Sequence, residues 1–207
     1  MTGPSWIPAV LLAATFVALA VSGVEPNDRV TWWLEVAPVL IAVPILVATR
    51  RRFPLTMLLY ALLFVHGLIL ILGGHYTYAM VPLGEWMREA FGFARNHYDR
   101  IGHFAQGFVP AILAREILLR TSPLRPGKWL FTIVVAICLA FSAFYELIEW
   151  WTALIGGHGA EAFLGTQGED PALAAPPGLR LVAFAGERAT PEALAGWLRL
   201  SGGRVRL

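Results

Sequence analysis

Five apolar runs, each near the length of a membrane-crossing helix, decide what this chain can fold into. They are Trp6 to Val24, Val30 to Thr49, Pro54 to Gly73, Ile101 to Leu119 and Trp129 to Ile155. A hydrocarbon core about 30 Å thick needs roughly 20 apolar residues of helix to cross it. The composition agrees, with 57% hydrophobic and 14% charged residues. A soluble domain carries about 25% charged residues, so this chain has too little polar surface to meet water on all sides. In lipid a helix satisfies its own backbone hydrogen bonds, and no sheet is needed. The expected fold is all-α: a polytopic membrane helix bundle of about five transmembrane helices, with the lipid bilayer as its medium. The formal net charge of +2 is small, and the arginines sit in loops, where they speak to topology and give no reason to expect nucleic acid. A single cysteine, Cys138, excludes an intrachain disulfide and a cysteine-based metal site.

The first run reads as a retained helix and not a signal peptide, because Met1 to Ser5 carries no positive side chain and the apolar stretch is long. Two short loops, Arg50-Arg51-Arg52 and Arg120 to Lys128, hold the basic charge. Positive charge marks cytoplasmic loops, and two spans separate these loops, so both fall on one side. The amino terminus is then expected in the cytoplasm and residues 74–100 outside a bacterial plasma membrane. Trp32-Trp33 and Trp150-Trp151 suit an interfacial aromatic belt. Between the third and fourth runs, Leu83, Trp86, Met87, Ala90 and Phe91 recur at helical spacing, with Glu85, Arg88 and Glu89 between them. That pattern predicts a short interfacial helix, or one packed over the mouth of the bundle.

Ionisable groups at the ends of spans are costly and need a reason. This topology brings Glu35, His75, Tyr76, Asn96, His97, Asp99, His103, Glu146 and Glu149 to one outward layer. Asp99 and His103 are four apart, and Glu146 and Glu149 three apart, so each pair shares a helix face. Carboxylates and an imidazole in one bundle could hold a divalent metal ion or act as acid and base. Asp99, His103, Glu146 and Glu149 are the candidate catalytic residues, with His103, Glu146 and Glu149 as candidate metal ligands. His75, Tyr76, Asn96 and His97 are candidate binding residues around them. The competing reading is a structural polar network, with Asp99 paired to Arg95 or Arg100; a small transporter is a third. His66, within the third run, reads as a satisfied interhelical hydrogen-bond donor. Arg115 lies where it can snorkel to the cytoplasmic headgroups, and Glu116 beside it where it can reach water.

The runs Gly73-Gly-His-Tyr-Thr-Tyr-Ala79, Asn96-His-Tyr-Asp-Arg-Ile-Gly-His-Phe104, Gln106-Gly-Phe-Val-Pro110, Tyr145-Glu-Leu-Ile-Glu-Trp-Trp151 and Phe163-Leu-Gly-Thr-Gln-Gly168 resemble the YjdF-like family of bacterial inner-membrane proteins. The resemblance covers roughly residues 30 to 170 and implies a multi-pass plasma-membrane protein, without an activity. The Asp-Arg-Ile-Gly-His-Phe run is also distantly similar to the VanZ-like superfamily, which includes a glycopeptide-resistance protein and so adds an envelope or resistance role to the alternatives. In the YjdF-like family the Gly-Thr-Gln-Gly stretch leads to an acidic, tryptophan-containing motif and a last spanning helix. Gln167 and Asp170 are the candidate binding residues that this chain retains there. The transmembrane bundle is accordingly drawn at 1–170. Residues 171–207 hold no spanning run and place Arg180, Arg188, Arg199, Arg204 and Arg206 on the outer side, against the charge rule. They read as a frameshifted or replaced terminus, or a divergent tail with a small helix from Thr190. The nucleotide sequence decides between these, since a one-base shift should restore the family's final helix.

Overall fold

The computed structural model describes residues 6–156, which fall within the first of the chain's two units, Met1–Gln167. Gln167, Asp170 and the tail lie outside the described residues. Six α-helices follow in order: α1 (Ile7–Ser22), α2 (Arg29–Thr49), α3 (Met57–Tyr76), α4 (Pro82–Phe91), α5 (Tyr98–Thr121) and α6 (Lys128–Gly156). One 3-10 turn, Tyr78–Met80, links α3 to α4, and no strand occurs among the described residues.

Helices α2 and α3 and the first part of α6, Lys128–Tyr145, are long and apolar enough to cross a membrane, and α1 is a shorter apolar helix. The 24 residues of α5 give it a length of about 36 Å. Its composition is more polar, since His103, Gln106, Arg115 and Glu116 all lie within it. Even so, it packs against both α3 and α6 and so runs through the same layer. Side chains such as Phe16, Ile41, Leu58, Phe104, Phe131 and Phe141 point outward and exposed, as expected where the surroundings are lipid.

Local chemistry sets the helix boundaries. Asp28 accepts a hydrogen bond from the Thr31 N–H at 2.6 Å and caps α2. Thr56 caps α3 through the Leu59 N–H. Pro82 opens α4, where its missing N–H is harmless, and Gly92 closes it in the left-handed conformation at φ 67°. Pro38, Pro44 and Pro110 sit inside α2 and α5, as the sequence requires of spans that long.

Helix α3 is the hub, in contact with α1, α2 and α5, while α6 lies against α5. Leu19, Val36, Val39 and Ile71 form a buried cluster where α1, α2 and α3 meet. Lipid removes any hydrophobic drive between helices, so close packing and polar ties hold them together. The ties are specific. Asn27 donates its backbone N–H to the His75 carbonyl at 2.9 Å and its side-chain amide to the Tyr76 carbonyl at 2.6 Å. Trp32 donates its indole N–H to the Ser22 hydroxyl at 3.0 Å, so this tryptophan clamps α2 to α1, whereas Trp33 is exposed. At the opposite end, Glu116 does not reach out to water. Its carboxylate accepts the Thr56 N–H at 3.0 Å and the Thr56 hydroxyl at 2.7 Å, and pairs with Arg120 at 2.8 Å. His66 departs from expectation too: its Nε2 is buried without a partner among the described residues.

The short helix settles between its two expected placements. Leu83, Trp86 and Phe91 are exposed while Gly84 packs inward against Asn96. An apolar face turned away from the bundle is that of an interfacial helix.

Candidate functional site

The end of the bundle that carries α4 is where sequence placed the polar layer. Two of its residues prove to be braces. His75 points its Nδ1 at the Ser22 carbonyl, 2.8 Å away, and meets Tyr76 edge-on, tying α3 to α1. Asn96 donates to the Val81 carbonyl at 3.0 Å and to Glu85 at 3.2 Å, and accepts the Tyr98 N–H at 2.9 Å. With its amide oxygen on the first turn of α5, Asn96 anchors that helix to α4. Asp99 accepts the Arg100 N–H at 2.8 Å and lies 3.6 Å from Arg95, an ion pair exposed enough to contribute little.

His97 and His103 are placed differently. His97 stacks edge-on against Phe93 and keeps a buried Nδ1 with no partner among the described residues. It lines a cavity of about 310 Å³ with Met87, Arg100 and Phe104. His103 is exposed at one end of a groove of about 290 Å³ between α5 and α6, whose other walls include Gly107, Cys138 and Ser142.

The register of α5 against α6 follows from the 3.7 Å approach of the Cys138 thiol to the Gly107 carbonyl. The two helices run antiparallel, so each residue gained on one is lost on the other. Position 142 is then level with His103 and position 146 level with Asp99, with 149 one turn further out. The side chains of Glu146 and Glu149 lie outside the described residues, as does any contact they make. Among the described residues no group of three potential metal ligands gathers.

A second polar centre sits at the same depth, on the α3 side of α5. Glu35 of α2 is 4% exposed, and the phenols of Tyr78 and Tyr145 border its carboxylate. Tyr78 reaches it because its ring slots between two glycines: a Cβ on Gly73 would strike the ring, and one on Gly102 would come within 2.7 Å of it. Gly74 lets α2 approach α3 in turn, since a Cβ there would lie 3.1 Å from that of Glu35. Tyr98 completes the group, its ring 5.7 Å from Tyr78 and its hydroxyl 3.2 Å from the Ile69 carbonyl. Burial and the neighbouring Glu35 carboxylate push the Tyr78 phenol well above its ordinary value.

Thr77, just before Tyr78, holds φ at 58°, a conformation that costs a β-branched residue of order 1–3 kcal/mol. It turns the chain from α3 back into the bundle and so delivers the tyrosine. Spacing predicts Glu35 in this layer and assigns no role to it or to Tyr78. The legible signal was Gly73-Gly74 and Gly102 flanking tyrosines, small residues that make room for one large ring.

Residues 7–171 match the family described as predicted membrane protein (DUF2238), a match that takes in α1 as well as the later motifs. The chain is also similar to the inner membrane protein YjdF of Escherichia coli (strain K12), 54% identical over 151 residues, which is 73% of this chain and 72% of that protein. No solved structure matches it. With a family match over most of its length and these apolar helices, the chain belongs to the DUF2238 family of predicted membrane proteins.

Proposed function

We propose that this protein is a multi-pass protein of the bacterial inner membrane with its amino terminus in the cytoplasm, and that its outward end carries an acid–base or metal-assisted site acting on a membrane-embedded substrate. The observation that carries the reading is His103. It stands in the α5–α6 groove with no hydrogen-bonding partner among the described residues, one turn from Asp99 and level with the acidic stretch of α6. A histidine held for structure is normally tied down, as His75 is; one left open a turn from Asp99 is able to move a proton or ligate a metal ion. In this reading His103 is proton shuttle or ligand, and Glu146 and Glu149 are bases or ligands. Asp99 supports the imidazole from one turn away. The groove opens among exposed apolar side chains, which suits a substrate delivered through the bilayer.

Purified protein in detergent, incubated with an inner-membrane lipid extract, tests this. Wild type is compared with His103→Ala and the Glu146→Gln, Glu149→Gln double variant. A product seen by mass spectrometry with wild type and absent with folded variants is the expected result, with bound metal lost alongside if the site is metallic. No product and no metal, with variants that lose stability, would make the layer a structural network. Orientation is checked separately. A reporter active only outside the cytoplasm, fused after residue 92, should be active, and the same reporter fused after residue 124 inactive.

A further inference from the structure

We propose that the oxygen cluster around Glu35 is a binding site for a small monovalent cation of the alkali-metal class, held by the Glu35 carboxylate and the hydroxyls of Thr31, Thr77 and Tyr78. Thr31 and Glu35 are four residues apart on α2, hence on one helix face, and both are buried, 2% and 4% exposed. That face looks toward α3, because Trp32 and Glu35 close on Gly74. Thr77 follows directly on α3 and is likewise 2% exposed. Tyr78, beside it, has its ring held between Gly73 and Gly102, where its phenol borders Glu35.

The hydroxyl oxygens of Thr31 and Thr77 have no hydrogen-bond partner among the described residues. Buried hydroxyls are normally satisfied, and each exception calls for a missing partner. Neither hydroxyl is bonded to the Glu35 carboxyl. A cation seated between them would satisfy all three at once. The donor set is oxygen only, which selects a hard cation over a transition metal. It holds one carboxylate, and no cationic side chain of the described residues pairs with it. One negative charge is balanced by a monovalent ion, whereas calcium sites usually gather several carboxylates. The cluster also lies at the C-terminal end of α3, where the helix dipole is negative.

The test is thermal unfolding of full-length protein in detergent, titrated with sodium, potassium, magnesium or calcium chloride against choline chloride at matched ionic strength. A ligand bound only to the folded state raises Tm with concentration and saturates accordingly. Sodium or potassium should raise Tm beyond choline in wild type. Glu35→Gln should abolish the effect, and Thr31→Val should weaken the apparent affinity roughly tenfold or more. Thr31→Val keeps the shape of the side chain and removes a hydroxyl with no hydrogen-bond partner among the described residues, so it reads out even if Glu35→Gln fails to fold. A Tm that rises no more with alkali ions than with choline, a rise that persists unchanged in Thr31→Val, or a response confined to divalent ions would each overturn the proposal.

Discussion

Glu116 of α5 holds both the backbone N–H and the hydroxyl of Thr56, the residue that caps α3. Arg120, one turn further along, pairs with the same carboxylate, donates to the Pro54 carbonyl at 2.6 Å and lies over the Phe53 ring. The start of α3 is thereby locked to the end of α5.

Breaking that lock should destabilise the bundle. Hydrogen bonds to a charged group contribute about 1.5–3 kcal/mol each, and the Glu116 side chain is only 11% exposed. Glu116→Ala is expected to lower stability by more than Thr56→Ala does. Unfolding in mixed micelles, run as a double-mutant cycle, should show the two losses to be non-additive. Additive losses would mean that the contact carries no energy.

The tyrosine slot makes a steric prediction. Gly102→Ala places a methyl group within 2.7 Å of the Tyr78 ring, and such overpacking costs typically 1–3 kcal/mol. Tyr78→Leu in the Gly102→Ala background should recover part of the loss in Tm. If Gly102→Ala is neutral, the ring is not held between α3 and α5 as described.

Tyr78 should also govern alkaline stability. Its phenol is raised above the usual value of 10.0, so the folded state keeps the proton at a pH where the unfolded chain has lost it. Stability from this group is therefore fully present below pH 10.0 and is lost as pH rises beyond that value toward the folded-state value. Tyr78→Phe, which keeps the ring between Gly73 and Gly102 and removes the titrating hydroxyl, should flatten the fall in Tm on the alkaline side. An unchanged alkaline slope would show that other groups set it.

The apolar face of α4 should sit in lipid. Trp86 is 61% exposed, and the difference in fluorescence between wild type and Trp86→Phe isolates its signal. In vesicles, quenchers attached near the top of the acyl chains should dim that signal more than aqueous iodide does. Stronger quenching by iodide would place the helix away from the bilayer.

Apolar run length by itself determined the helices here: α2, α5 and α6 begin and end within a few residues of the runs, and α4 where its period predicts. The reason is physical, since a lipid core leaves a chain of this composition no other way to pair its backbone. Depth was legible as well, because rise per residue converts position into height, and Glu35, Asp99 and His103 do share the α4 end of the bundle. Height says nothing about azimuth. Whether a polar side chain turns toward a neighbour, a groove or a backbone carbonyl depends on which helices pack and in what rotation. That choice made braces of His75 and Asn96, left His103 open against α6, buried His66 without a partner among the described residues, and drew Tyr78 between two glycines toward Glu35. Sequence spacing carries a helix's own periodicity; the contacts between helices are set by packing across the bundle, and only the tertiary structure decides them.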